Sequence, residues 1–364
     1  MQVVSVPGRV NLIGEHIDYH SLPVLPMAIQ RRVRIDYEPI EEGVIRAHSE
    51  PYGAAEVCLA DEFQPGLAGD WANYIKAAVT VIRTRWKIPH GIEAKVTSDL
   101  PAAAGLSSSS ALMTGFTLAL LRANGIDPAF TELMEVLPEG EQFVGTRGGG
   151  MDHAAVLASR QGYALLIEFE PLRLIDVPIP NNWSVIVAHS LRTSEKSGSA
   201  RELYNAGRRA GQSALVKLGF ESYRDAVERY STDQLLRLTD EEARAFRHVV
   251  TESARVTRAM AALRRGDIEI FGALLCESHR SLRDDLRVSC SELDELVDLA
   301  MKNGALGARL TGAGFGGCAI VLCHVDERDR LAQALLDGFY SKRSEFCRAK
   351  HLIFAEPSAG VLCE

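Results

Sequence analysis

Residues 101–124 run PAAAGLSSSSALMTGFTLALLRAN. From residue 100 to residue 121 there is no charge, and those 22 residues are long enough to span a bilayer. Pro101, Gly105 and the run Ser107-Ser108-Ser109-Ser110 argue against a span, because the strongly apolar part starts only near Ala111. The stretch fits a buried core helix with a polar, glycine-bearing entrance. Small residues let a backbone approach a ligand, and the amides at a helix start are unpaired. Together they suit an anion such as a nucleotide triphosphate, and the serine hydroxyls suit Mg2+. No Gly-Lys-Ser/Thr follows, so this is not the Walker pattern. The competing reading is a plain helix start capped by serine.

Working outward, residues 33–37 and 92–97 alternate like strands, and 71–87 and 111–124 have helical spacing. Two further strands are expected at 162–169 and 183–189, joined across a turn containing Pro178 and Pro180. Residues from about 200 to 301 are mostly helical. Thr239-Asp240-Glu241-Glu242 has the form of a capping box, and Phe246, Val249, Val250 and Ala254 follow as one apolar face. After Gly307 strands return at 318–324 and 351–354. Strands, then helices, then strands predict an α+β chain with mixed sheets. At 364 residues it is long enough for two domains, expected at 1–180 and 181–364, with the last strand returning to the first. No internal repeat or low-complexity tract interrupts this.

Three other segments carry candidate chemistry. Pro7-Gly8-Arg9-Val10-Asn11-Leu12-Ile13-Gly14-Glu15-His16-Ile17-Asp18-Tyr19 clusters acceptors and a permanent cation, which suits a polyol beside a phosphate. A turn with solvated charges is the alternative. Gly145-Thr146-Arg147-Gly148-Gly149-Gly150-Met151-Asp152-His153 has glycines that leave room for a ligand and a carboxylate able to orient a hydroxyl, unless Asp152 merely caps a helix. Gly307 to Cys318 has four glycines in six positions, a phosphate-pocket lining or a plain turn. A net charge of −8 argues against a nucleic-acid partner. Hydrophobic residues at 46% and charged residues at 24% describe a globular chain. Seven scattered cysteines without a C-x-x-C read as thiols of a reducing, cytoplasmic compartment. Arg9 and Asn11 interrupt any apolar leader.

In this order and spacing the segments resemble a family. Residues 8–19 resemble the galactokinase signature. The serine loop and 312–317 resemble the second and third motifs of the superfamily that also holds homoserine, mevalonate and phosphomevalonate kinases, the GHMP kinases. Trp71-Ala72-Asn73-Tyr74 and Ser278-His279-Arg280-Ser281-Leu282-Arg283-Asp284-Asp285, continuing into Val288-Ser289-Cys290 and Glu292-Leu293-Asp294, match further. The resemblance implies a two-domain GHMP kinase fold with the active site in the cleft between domains. It implies ATP-dependent phosphorylation of the anomeric hydroxyl of galactose, by a monomer or weak dimer that meets no nucleic acid or membrane. By position it implies Asp152 as the group that orients and deprotonates the hydroxyl and Arg9 as the charge on the transition state. Glu15, His16, Asp18, the Gly149 backbone and Tyr204 would hold the sugar. Ala103, Ala104, Gly105, Leu106, Ser107, Ser108 and Ser109 would wrap the triphosphate, with Ser109 on Mg2+ and Trp71 near the adenine.

The chain also departs from the family. Only six residues precede Pro7, so either the start is truncated or an early strand is absent. The position of the usual metal-binding Glu, twelve residues before Asp152, is Gly140, flanked by Glu139 and Glu141, either of which could take its place on Mg2+ after a small shift, with Glu141 the candidate. A one-residue shift turns a helical side chain by about 100°. His153 replaces a common Gln, and His20-Ser21-Leu22-Pro23 replaces a turn that usually holds Asn and Gly. Residues 148–152 and 167–173 look more like an N-acetylgalactosamine kinase. That sugar, or another hexose or pentose, is the alternative substrate. A sugar- and ATP-sensing regulator without turnover is the alternative of another class.

Overall fold

The computed structural model describes residues 1–67, 69–145, 148–193 and 199–364. Two residues of the third segment, Thr146 and Arg147, lie outside them.

Strands β1 (Gln2–Ile13), β2 (Leu25–Ile40), β3 (Val44–Ser49), β4 (Gly53–Cys58) and β5 (Gly91–Ser98) build most of the first sheet. A hairpin follows, β6 (Tyr163–Phe169) with β7 (Leu172–Pro178). The second sheet takes β8 (Trp183–His189), β9 (Gly307–Thr311), β10 (Cys318–His324) and β11 (Leu352–Ala355). The last strand, β12 (Leu362–Cys363), returns to pair antiparallel with β1. The sheet orders are β12-β1-β2-β5-β3-β4 and β11-β8-β10-β9. Among the described residues only β3 and β5 run parallel. Strands β1, β3, β4 and β9 were not among those read from the sequence, and neither was β7, where the reading ran 162–169 straight into a proline turn. Most of its side chains are half-buried or exposed, so it lacks the alternation that marks a strand.

The helices of the first half are α1 (Ala72–Arg83), α2 (Ser108–Ala123), α3 (Phe130–Phe143) and α4 (Met151–Ala158). Helix α2 lies between the sheet (β1, β2) and α1 and α3. It is buried from Ser110 to Leu121 with Leu112 as the half-buried exception, which explains its charge-free composition. Gly115 lets it approach, since a Cβ there would stand 2.8 Å from Ile35 Cδ1. Among the described residues no helix is long and apolar enough to cross a membrane.

The second half carries α5 (Ser199–Leu218), α6 (Tyr223–Arg229), α7 (Asp240–Arg265), α8 (Ile268–Asp284), α9 (Ser291–Lys302) and α10 (Arg328–Leu335). Thr239 caps α7 reciprocally with Glu242, at 3.3 and 3.0 Å. The expected apolar face holds at Phe246, Val249 and Val250 but not at Ala254, which is exposed. The inward stripe continues instead through Glu252, Ser253 and Val256. Two of those are polar, so hydrophobic spacing alone misplaces the face. Helix α8 meets the start of β9 backbone to backbone. A Cβ on Gly272 would stand 2.2 Å from Leu306 O. One continuous core joins the first sheet, the hairpin and α5 to α8; a second lies between α9, α10 and the outer face of the second sheet.

Candidate active site

The site begins at the end of β1. The strand slips register between Pro7 and Arg9, and the Arg9 amide leaves the sheet for Leu106 O at 3.1 Å. The serine loop is thereby seated on β1. The Arg9 side chain is buried. Its Nη1 donates to Gly105 O at 2.7 Å, and Nε and Nη2 reach Asp152 Oδ1 at 2.8 and 2.6 Å. Burial works against this cation, but Asp152, Glu15 and Asp18 outweigh it and raise Arg9 above its ordinary value. Asp152 lies in the first turn of α4, whose N-cap is Gly150 at φ 96° with no side-chain cap. The capping reading of Asp152 is therefore replaced by an ion pair.

Beyond β1 the chain turns through Gly14 (φ 104°) and His16 (φ 61°). Glu15 Oε1 accepts from the Gly312 amide at 2.7 Å and Thr311 Oγ1 at 3.2 Å, and lies 3.1 Å from Arg309 Nη2. The glycine-rich segment 307–318 thus closes on the segment 7–19. His16 Nε2 donates to Ala313 O at 3.1 Å, and in the neutral ring Nδ1 accepts the Tyr19 hydroxyl at 3.1 Å. Asp18 Oδ2 accepts the Gly149 amide at 2.9 Å. Gly149 has no room for a side chain there, since a Cβ would stand 2.2 Å from the Asp18 carbonyl carbon. Burial, aided by the charges of Asp152 and Glu15, pushes Asp18 up to about 6. Tyr204 of α5 packs its ring 5.2 Å from His16 and 5.8 Å from Tyr19. Burial and the Asp18 charge hold its phenol well above the ordinary value, as a hydroxyl donor.

The structure resolves the neighbours of Gly140. Glu139 is exposed, and Gly140 faces Met113, where a Cβ would stand 2.6 Å from the sulfur. Glu141 points into the cleft, accepts Ser110 Oγ at 2.8 Å and lies 3.5 Å from His153 Nε2. Ser110 Oγ also reaches Asp152 Oδ2 at 3.4 Å. Ser110 was missed as a site residue. Its run of four serines hides which hydroxyl faces inward, and its partners lie 31 and 42 residues away.

Within the serine loop Ala103, Gly105 and Ser107 have positive φ, and α2 starts with Ser107 as an N-cap that makes no side-chain bond. The serine-cap reading therefore fails, and the loop is a curved cradle leading into a helix N-terminus. Ala104 and Leu106 are buried beneath it; Ser108 and Ser109 are half-buried. Trp71 is buried against Tyr52 and Phe116, with ring centroids 6.4 and 6.5 Å away, so it is first a core residue. His20 packs 4.4 Å from Tyr223 and 4.7 Å from Tyr19, and burial lowers it to about 3, so it is a neutral ring behind the pocket. Arg9, Glu15, His16, Asp18, Glu141, Asp152 and Tyr204, with Gly148, Gly150, Gly312 and Ala313, line one cleft.

A glycine-rich cradle at a helix start, facing an Arg–Asp pair between two sheets, defines a kinase of the GHMP class. Models of that class match here: "GHMP kinases N terminal domain" at residues 73–160 and "GHMP kinases C terminal" at 259–341. The chain belongs to the galactokinase family. The galactokinase galactose-binding signature matches residues 2–39. A galactokinase of Streptomyces coelicolor is 36% identical over 99% of this chain and 93% of its own. That of Pyrococcus furiosus is 36% identical over 98% of each. The human galactokinase is 36% identical over 99% of this chain and 92% of its own. The crystal structure of Lactococcus lactis galactokinase complexed with galactose superimposes with a TM-score of 0.88 at 27% identity, covering 99% of this chain and 94% of that one. Methanococcus jannaschii mevalonate kinase shares the fold at a TM-score of 0.67 and 18% identity, covering 98% of each.

Proposed function

We propose that this chain transfers the γ-phosphoryl group of ATP to the anomeric hydroxyl of galactose, giving galactose 1-phosphate. The observation that carries the reading is the buried Arg9–Asp152 pair, set between the serine cradle and the cluster of Glu15, His16 and Asp18. Asp152 orients the hydroxyl and accepts its proton, while Arg9 faces the charge that develops on the transferred group. Little covalent help is needed, since in-line positioning and charge neutralisation dominate phosphoryl transfer. Glu15, His16, Asp18, Tyr204 and the Gly149 backbone hold the sugar. Residues 103–109 wrap the triphosphate, and Trp71 bounds the nucleotide side.

Mg2+ fits the donors present: Glu141 and the serine hydroxyls are hard oxygens, and Ser110 bridges Glu141 to Asp152. Glu141 with Ser109 would hold it, and the charge it supplies would offset that of the triphosphate. The inward Glu141 supports a kinase with turnover over a sensor without it. Seven free cysteines support a cytoplasmic setting, and a monomer or weak dimer divided near residue 180 is the form we propose.

The test is ADP release from Mg2+-ATP with galactose, N-acetylgalactosamine, glucose, arabinose or no sugar. Galactose-dependent turnover is expected. Asp152→Asn should lower it by about 10³-fold or more while ATP binding persists. Turnover with another sugar alone would move the substrate, and near-normal activity in Asp152→Asn would remove Asp152 as the base.

A further inference from the structure

The stretch from Ser278 to Asp285 matches the family, yet none of it lines the cleft. It sits on α8, and its hydroxyls reach a polar stripe on α7. Ser278 Oγ donates to Glu252 Oε1 at 2.7 Å, and Ser281 Oγ lies 2.9 Å from His248 Nδ1. His248, Glu252 and Val256 fall at i, i+4 and i+8 on α7, so they share one face. All three meet the peptide that carries Glu15. Glu252 Oε1 accepts the Gly14 amide at 2.9 Å, and His248 Nε2 donates to Glu15 O at 2.9 Å. Val256 closes on Gly14, where a Cβ would stand 3.0 Å from Val256 Cγ2. From the opposite side Arg309, Thr311 and Gly312 hold the Glu15 carboxylate, and Arg309 Nη1 donates to Leu12 O at 2.9 Å.

We propose that Glu252 and His248, backed by Ser278 and Ser281, are positioning residues that fix the Gly14–Glu15 peptide and so aim Glu15 at the sugar. The inference rests on the proposed sugar-kinase reading and adds residues to it that touch neither sugar nor ATP. The charges balance: Glu15 and Glu252 against Arg309 and Arg255, with Arg255 Nε 2.7 Å from Glu252 Oε2. All four are buried. A buried group left with unequal partners is not screened by water. Neutralising Glu252 removes the second carboxylate that offsets Arg309 and leaves Glu15 to offset it alone. The Glu15 carboxylate is then drawn inward, off its line to the sugar. The effect should fall on sugar binding and spare the serine cradle, which is seated through Arg9 and not through α7.

The test is steady-state kinetics with each substrate varied in turn, beside thermal unfolding. Galactose-dependent turnover by the wild type establishes the underlying reading; its absence would remove that reading before any variant is made. Against an active wild type, Glu252→Gln should raise the galactose KM about tenfold with the ATP KM within about twofold. His248→Leu should do likewise, and His248→Gln, which keeps an amide donor for Glu15 O, should recover part of the loss. Ser278→Ala changes no charge and should raise the galactose KM by about threefold. If Glu252→Gln does not fold, the Ser278 and His248 variants decide on the same criterion. Variants that unfold at lower temperature yet keep the wild-type galactose KM would show that the stripe only holds the fold together. Equal rises in both KM values would overturn the proposal as well.

Discussion

Asp18 makes the site sensitive to acid. Its folded value of about 6 lies above the ordinary 3.8, because burial and the charges of Asp152 and Glu15 disfavour the carboxylate. A raised acid favours the folded state while it is protonated. Its contribution to apo stability is present below pH 3.8 and is lost as pH rises through about 6. On the proposed reading sugar binding needs the opposite form, since the carboxylate accepts the Gly149 amide and would be the polyol acceptor. The kcat/KM for galactose should therefore fall as pH drops through about 6, a limb seen in a pH profile of the free enzyme. A flat profile from pH 7 to about 5 would refute this assignment. Glu141 gives a paired prediction. Glu141→Gln should raise the Mg2+ concentration needed for half-maximal rate by about tenfold or more, and Glu139→Gln should leave it unchanged. Equal effects would mean that neither side chain holds the ion. These residues were unequally legible in sequence. Arg9, Glu15 and Asp152 sit in spaced motifs whose chemistry is local. The choice between Glu139 and Glu141 needs the rotation of α3 about its axis, and close contact between Gly140 and Met113 sets that rotation.

Among the elements, α2 and α7 show why spacing succeeds or fails. Helix α2 is apolar because the sheet and two helices enclose it, so composition alone announced it. Helix α7 was legible at its start, where Thr239 and Glu242 cap each other, and was misjudged further on, where Glu252 and Ser253 point inward. A buried polar residue has the sequence signature of a surface one, and its partners on β1 and α8 are remote in the chain. Strand β7 escaped for the opposite reason, being too exposed to alternate. Thr239→Ala removes a cap far from the cleft. It should cost about 1 kcal/mol of stability in denaturant unfolding and leave both KM values as in the wild type. A change in the galactose KM would mean that the start of α7 reports to the site, which its distance along the helix from Glu252 argues against.

At the scale of the whole molecule, the cleft is assembled from parts separated by hundreds of residues. Glu15, just past β1, is held by Gly312 across 297 positions, and Gly14 by Glu252 across 238. Such pairings leave no trace in local pattern; the family resemblance implied a cleft between domains but neither of these pairings. Strands flanking a helical middle were foreseen, though not the membership of the two sheets, and β12 returns to pair with β1 at the edge of the first.

On the proposed reading, one guanidinium spans both substrates. Arg9 donates to Gly105 O in the nucleotide cradle and pairs with Asp152 beside the sugar. Any shift of the cradle on taking up ATP is therefore felt at Asp152, and any shift of Asp152 on taking up sugar is felt at the cradle. The two ligands should then be thermodynamically linked, and linkage is reciprocal: the factor by which ATP alters galactose affinity must equal the factor by which galactose alters ATP affinity. Titration calorimetry of a non-hydrolysable ATP analogue, with and without saturating galactose, should show that factor in the wild type. In Arg9→Lys, which cannot make both sets of bonds with a planar fork, it should shrink toward one. An unchanged factor would place the coupling elsewhere; a lost one would make Arg9 the hinge through which each substrate senses the other.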